Sequence, residues 1–282
     1  MPLLEATGLR LALPDRAARP LVGKPPRVDI LKGIDLSIEA GSSLGIVGES
    51  GSGKTSLGRT LLRLHEPTGG RILFEGQEIT HMPQHALRTL RADMQMIFQD
   101  PMSSLNPRRR IGAILAQPLL LYGRVDGSGG PGGAAARVAE FLDLVGLPRD
   151  FARRYPHELS GGQRQRVGIA RALTLEPRLV VADEIVSGLD VSTQAQILAL
   201  LRDLQARFHL ALIFISHDLS VVRALCDRVM VLLGGEVVEE GLCEEIFAAP
   251  QHTYTRALLD AVPLPVVDAD WVGGSVLDGG GA

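Results

Sequence analysis

The eight residues Gly48-Glu49-Ser50-Gly51-Ser52-Gly53-Lys54-Thr55 constrain this chain more than any other stretch. They match the spacing G-x-x-x-x-G-K-[ST], a loop whose glycines let the backbone wind until successive N–H groups point inward at an anion. A short apolar run, Leu44-Gly45-Ile46-Val47, precedes the loop, and Leu57, Leu61, Leu62 and Leu64 follow it at helical spacing. Strand, loop and helix in that order bring a helix N-terminus, with its dipole, onto the bound anion. The mechanics of such a loop place Lys54 at the β- and γ-phosphates of a nucleotide and the Thr55 hydroxyl on Mg2+.

Two further segments carry chemistry. Leu179-Val180-Val181-Ala182-Asp183-Glu184 is an apolar strand ending in two acids. Carboxylates at the C-terminal edge of a parallel strand face the crevice in which α/β proteins bind ligands. Asp183 suits an outer-shell or direct Mg2+ role, and Glu184 is placed to orient and deprotonate an attacking water. Leu159-Ser160-Gly161-Gly162-Gln163 stands before a good helix, Arg164 to Leu173. A serine and two glycines at a helix start make a second anion-binding N-terminus. Two phosphate sites in a chain that binds one nucleotide are redundant unless the second completes the pocket of another subunit.

The rest of the chain reads as α/β. Residues 28–39 end in strict apolar/polar alternation, a half-buried strand. Met94 to Phe98, Leu179 to Ala182, Leu210 to Ile215 and Val229 to Leu233 are short apolar runs that alternate with helical segments such as Thr193 to Phe208. That order predicts a mainly parallel sheet with helices on its faces. From Pro101 to Pro156 the pattern changes to helices broken by Asn106-Pro107 and by the glycine-rich stretch 127–133, which reads as a helical insert with a flexible connector. The last twenty or so residues read as a frayed tail.

Composition excludes several classes. At 282 residues, 45% hydrophobic and 22% charged, the chain has material for a large core and is neither disordered nor collagen-like. A net charge of −3 argues against a nucleic-acid surface. The apolar runs fall far short of the roughly 18–20 residues that span a bilayer. The first residues lack the basic and apolar regions of a secretory signal, and Cys226 and Cys243 lack metal-ligand spacing, so a cytoplasmic chain with reduced thiols is expected. Only Lys24, Lys32 and Lys54 are lysines, and one of the three stands in the phosphate loop. His81, His85, His157 and His209 form no constellation and read as surface or loop residues. Arg108-Arg109-Arg110 reads as a solvated face or a contact with a membrane partner.

The phosphate loop, Leu159 to Gln163, Asp183-Glu184, Ser187-Gly188-Leu189-Asp190 and Phe214-Ile215-Ser216-His217-Asp218 occur in the order found in ABC-transporter ATPase subunits. The chain resembles that family over residues 3–262. The resemblance implies a P-loop α/β fold with a mainly parallel core sheet, an N-terminal antiparallel β-subdomain and an inserted helical subdomain. It implies an ATPase domain over 1–262, with the helical insert at about 100–165, a C-terminal family motif at about 246–262 and a flexible tail at 263–282. It also implies that two subunits pair head to tail around two ATP molecules. Each site then joins one chain's Gly48 to Ser56 loop to the other's Ser160, Gly161, Gly162 and Gln163. By the same resemblance Gln99 contacts Mg2+ and links nucleotide state to the membrane subunits. His217 holds the γ-phosphate and the water, and Asp190 crosses the dimer interface.

Phe98 to Arg108, Tyr155 to Ser160 and Gln251 to Leu259 are similar to segments of the oligopeptide/dipeptide/nickel importer group. That likeness implies a subunit that energises import of peptides or similar small solutes. Its partners would be a second ATPase subunit, identical or different, two membrane permease subunits and, indirectly, an extracytoplasmic solute-binding protein. Nucleic acid would not be a partner, and the chain would sit peripherally on the cytoplasmic face of a bacterial inner membrane. A soluble non-transport ABC ATPase or an accessory subunit is the alternative. The chain departs from the family pattern at Ile185, Gly188 and Thr253, the last standing where proline is usual in the C-terminal motif, and in its lack of an early aromatic. Ile185 stands where proline is usual, which should loosen Glu184, and Gly188 replaces alanine. No aromatic precedes Phe74, so an aliphatic residue such as Val28 or Ile30 is expected against the adenine, with weaker selectivity for it.

Overall fold

The computed structural model describes residues 1–15, 25–100, 104–125 and 133–261. Residues 127–132 of the predicted connector at 127–133, Pro101-Met102-Ser103 of the importer-like segment, and the predicted tail at 263–282 lie outside the described residues. The chain forms two sheets. The first is antiparallel and contains β1 (Leu4–Pro14), β2 (Arg27–Ile38), β4 (Gly69–Phe74) and β5 (Gln77–Glu78), in the order β2-β1-β4-β5. The second holds β3 (Ser43–Val47), β6 (Met94–Ile97), β7 (Leu179–Asp183), β8 (Ala211–Ile215), β9 (Arg228–Leu233) and β10 (Glu236–Leu242). Its order is β10-β9-β3-β8-β7-β6, parallel throughout except for the β9–β10 pair.

The unbroken apolar runs of the second sheet have a simple cause. Successive side chains of a strand point to opposite faces, so a strand covered on both sides needs apolar residues at every position. Along β8, Leu212 and Phe214 enter one core cluster, whereas Ala211, Ile213 and Ile215 enter the other. Strand β9 divides the same way, with Val229 and Val231 opposite Met230 and Leu232. One cluster lies under α1 (Lys54–Leu61) and the antiparallel sheet. The other receives α5 (Gly161–Leu173), α6 (Val191–Phe208) and α7 (Leu219–Leu225). Helix α2 (Gln84–Leu90) buries Leu87 in the first cluster.

Between β6 and β7 run α3 (Ile111–Leu121), α4 (Ala134–Leu144), two short 3-10 turns and α5. Ile111, Ile114 and Leu115 of α3 and Val138, Phe141 and Leu142 of α4 belong to the same cluster as the sheet residues Val180 and Phe214. These helices therefore share the sheet's core. Cys226 and Cys243 are buried and unpaired, and burial pushes the Cys243 thiol up to about 11. Helices α8 (Cys243–Ala248) and α9 (Thr253–Ala261) close the described chain. None of its helices is long and apolar enough to cross a membrane.

Gly45 shows how tightly the sheet meets its helices. A Cβ there would sit 2.2 Å from Cγ1 of Val222, whose side chain is fully buried. Gly45→Ala should destabilise the chain by about 1–3 kcal/mol through overpacking. Val222→Ala opens the space the new methyl needs, so the double variant should lose less stability than the two single losses summed. Urea unfolding of the four proteins measures this, and strict additivity would refute the contact.

Candidate functional site

Parallel pairing aligns the ends of four strands. Ile46 of β3 pairs with Ile215 of β8, Asp183 of β7 pairs with Ile215, and Ile97 of β6 pairs with Ala182. The chain leaves each strand at the same edge; Gly48 and Glu184 come next after β3 and β7, and Gln99 and His217 stand two residues beyond β6 and β8. Their grouping follows from register.

The phosphate loop is held by backbone geometry that only glycine adopts freely. Gly48 has φ +147°, and a Cβ there would lie 2.1 Å from the Leu232 carbonyl oxygen. Gly53 caps α1 with φ +103°, beneath the Ile30 carbonyl. No acidic residue stands in the first turn of α1, so its N-terminal amides face no built-in anion. The Ser52 hydroxyl is buried without a hydrogen-bond partner among the described residues. The Lys54 ammonium, 5% exposed, donates to the carbonyls of Gly48 and Glu49, each at 2.7 Å. Burial holds its pKa below the ordinary lysine value, opposed by the charges of Glu184, Asp183 and Glu49.

The Thr55 hydroxyl donates to Asp183 Oδ1 at 2.9 Å. Asp183 is 1% exposed, and burial raises its carboxyl above the usual value despite the Thr55 hydrogen bond. Gln99 Nε2 donates to Glu184 Oε2 at 2.9 Å, and His217 Nδ1 lies 3.7 Å from the same oxygen. Glu184, Gln99 and His217 thus converge on one carboxylate oxygen beside the Thr55–Asp183 pair. These oxygen donors are hard ligands, and a lone buried carboxylate with a hydroxyl beside it suits a Mg2+ ion whose other ligands are phosphate and water. No cluster of three or more His, Cys, Asp or Glu side chains fit for a metal occurs among the described residues.

Glu184 is held by its neighbours although no proline follows it. Its φ of +47° is a strained value for a side-chain-bearing residue. Its N–H donates to the Ile215 carbonyl at 2.9 Å, and its carbonyl accepts the Ser187 hydroxyl at 2.7 Å. Ile185 is 1% exposed in the core, so packing anchors the residue after Glu184. Gly188 keeps φ +76° with no atom near its Cβ position.

The Ser160 segment lies elsewhere on the chain. Ser160 caps α5: its hydroxyl accepts from Gln163 N–H at 3.3 Å, and Gln163 Oε1 accepts from Ser160 N–H at 3.0 Å. The hydroxyl proton is left to donate. A Cβ on Gly162 would meet Thr193 Cγ2 at 2.6 Å, which requires glycine there. Asp190 caps α6, accepting from Thr193 N–H and from the hydroxyls of Ser192 and Thr193. These donors hold its carboxyl far below the usual range, the Ser192 hydroxyl most. Among the described residues no hydrogen bond or ion pair joins Ser160–Gln163 or Asp190 to the phosphate loop. Val28 is exposed on β2, whereas the neighbouring Ile30 is half-buried over Gly53. His81, His85, His157 and His209 are exposed, as are Arg108, Arg109 and Arg110.

One contact had no forewarning in the residue pattern. Glu49 N–H donates to the Tyr254 hydroxyl at 2.9 Å, across 205 positions of sequence. Tyr254 stands in the C-terminal motif, whose likeness to a transporter group carried no role for it.

Comparison with known proteins agrees with this geometry. The sequence model of the ABC transporter family matches residues 31–187. A putative peptide import ATP-binding protein of Brucella ovis is 50% identical over 268 residues, covering 95% of this chain and 81% of that one. The oligopeptide transport ATP-binding protein AppF of Bacillus subtilis is 49% identical over 238 residues, covering 84% and 71%. Among solved structures, a dimeric ATP-binding cassette in a post-hydrolysis state, bound to ADP and Pi, superposes with a TM-score of 0.74. It is 29% identical and covers 85% of this chain and 98% of that chain.

The buried Asp183 charge makes a prediction that needs no ligand. A carboxyl held above its unfolded value gains proton affinity on folding, so stability falls as pH rises through the raised range. Asp183→Asn keeps an acceptor for Thr55 and removes that charge. Its thermal unfolding temperature without nucleotide should equal or exceed wild type near neutral pH, and the gap should close on acidification. A clear drop at neutral pH would refute the burial argument.

Proposed function

The chain belongs to the ABC transporter family and is an ATP-binding, ATP-hydrolysing subunit of it; on that premise we propose that it powers the uptake of peptides or similar small solutes. The names of its relatives support the cargo class. The observation that carries the chemistry is the meeting of Gln99, Glu184 and His217 on one carboxylate oxygen beside the loop that presents Lys54.

In this reading Gly48, Glu49, Ser50, Gly51, Ser52, Gly53, Lys54, Thr55 and Ser56 cradle the phosphates of ATP. The Lys54 ammonium turns from the Gly48 and Glu49 carbonyls to the β- and γ-phosphates, which offer more negative charge. Thr55, Asp183 and Gln99 are the residues that would hold Mg2+. When bound, that ion offsets charge on the phosphate oxygens. Glu184 Oε2 accepts the proton of a water as its oxygen bonds to the γ-phosphorus and the bond to the bridging oxygen breaks, releasing ADP and phosphate. His217, 3.7 Å from the same oxygen, orients the water and the γ-phosphate. Gln99, bonded to Glu184 and leading directly into the helical segment, passes the state of the site to that segment.

Ser160, Gly161, Gly162, Gln163 and Asp190 complete the nucleotide site of a second ATPase subunit. Their own chain leaves the α5 N-terminus and the Ser160 hydroxyl proton available for that purpose. The ATPase domain runs over 1–262 with its helical insert at about 100–165. The assembly would include two permease subunits and receive solute from an extracytoplasmic binding protein, with this chain peripheral to the cytoplasmic face of the membrane.

Glu184→Gln should lower the hydrolysis rate by about 10²–10⁴-fold while ATP binding persists, trapping an ATP-bound dimer. Phosphate release and size-exclusion chromatography measure both, and undiminished turnover would exclude Glu184 as the base. The transport reading has its own test. The tagged chain, isolated from detergent-solubilised membranes of its source cell, should bring a multi-span permease with it. Consistent recovery free of any membrane protein would favour a soluble role.

A further inference from the structure

Tyr254 meets the phosphate loop at a single peptide unit. The Gly48 carbonyl and the Glu49 N–H belong to the same plane. The carbonyl accepts the Lys54 ammonium at 2.7 Å, and the N–H donates to the Tyr254 hydroxyl at 2.9 Å. No peptide bond among the described residues is cis, so these two groups point in opposite directions. Rotation of the plane would break both hydrogen bonds together. A donor engaged at its N–H also polarises the amide and makes its carbonyl a better acceptor.

The tyrosine is itself held from outside the loop. Glu239, on the edge strand β10, accepts from the N–H groups of Gln251 at 2.7 Å and His252 at 3.0 Å. His252 Nδ1 accepts from Tyr254 N–H at 3.2 Å. Arg256 donates to the carbonyls of Pro250 and Gln251, and Tyr254, Leu258 and Leu259 pack against the main core. Burial would raise the Glu239 carboxyl, but the Gln251 N–H, aided by Thr255 and His252, outweighs it and holds the group below its ordinary value. The latch therefore stays charged at neutral pH.

We propose that Tyr254 is a positioning residue for nucleotide binding, which acts through the Gly48–Glu49 peptide on the Lys54 ammonium. This rests on the reading that Lys54 takes the β- and γ-phosphates. Lys54 must leave the Gly48 carbonyl to reach the ligand, and a plane pinned from behind returns it to one starting place. The C-terminal motif 251–259 thus forms part of the nucleotide site although it does not touch the phosphates. Fixing the loop before the ligand arrives lowers the ordering entropy of binding.

Tyr254→Phe keeps the ring and its packing and removes only the hydroxyl. In the full-length chain, titration with a fluorescent ATP analogue in the presence of Mg2+ should show about a two- to tenfold loss of affinity, the range of one hydrogen bond. Unfolding temperature without nucleotide should stay at the wild-type value. In a Lys54→Met background the same substitution should produce no further loss, because the residue it acts through is gone. Unchanged affinity in Tyr254→Phe, or an equal loss with and without Lys54, would overturn the proposal. A fall in unfolding temperature matched by a loss in both backgrounds would mark the contact as structural only and overturn it likewise. A wild-type chain that failed to bind the analogue would instead overturn the underlying assignment of the phosphate loop.

Discussion

A parallel ladder aligns the ends of its strands, and the site depends on that alignment. β3, β8, β7 and β6 lie side by side with the pairs Ile46–Ile215, Asp183–Ile215 and Ile97–Ala182. A shift of one residue in any pair would exchange the two faces of a strand and put its core residues on the wrong side. Two-sided burial therefore fixes register, and register delivers Gly48, His217, Glu184 and Gln99 to one edge. The grouping proposed as the catalytic site is a by-product of core packing that the loops then exploit.

Placing charge at that edge has an electrostatic consequence. Lys54 and Asp183 are both nearly excluded from water, and burial shifts each toward its neutral form. Two backbone carbonyls accept from the Lys54 ammonium, and one hydroxyl donates to Asp183. On the proposed reading, a ligand that carries several negative charges and a cation would meet both groups. The strained φ of Glu184 fits the same pattern, with the surrounding hydrogen bonds and the buried Ile185 holding it in place.

Much of this was legible in the residues. Each apolar run that ended in a chemically distinctive residue, such as Leu179 to Glu184 or Leu210 to His217, formed a strand of the main sheet with that residue at its carboxyl end. The N-terminal antiparallel sheet came only through family resemblance. Register shifts interrupt the β1–β2 and β1–β4 pairs, so β1 shows no clean alternation over its length. β10 is partly exposed and carries Glu236, Glu239 and Glu240, so hydrophobic patterning does not mark it. The expectation that Ile185 would loosen Glu184 came from the φ restriction of proline alone, and the burial of Ile185 is a tertiary feature that the residue pattern did not show.

Local spacing alone determined the phosphate loop, the strand and helix around it, and the acids that end β7. These are short-range matters: where a backbone can turn, and which residue follows a strand. Tertiary structure decided which loops meet. It placed Gln99 on Glu184 across 85 positions, Thr55 on Asp183 across 128 and Tyr254 on Glu49 across 205. It also kept Ser160 and Asp190 occupied with their own helix starts, away from the loop of the same chain. Such pairings arise from strand order and helix packing, which depend on the whole core and leave no periodic trace in the neighbouring residues.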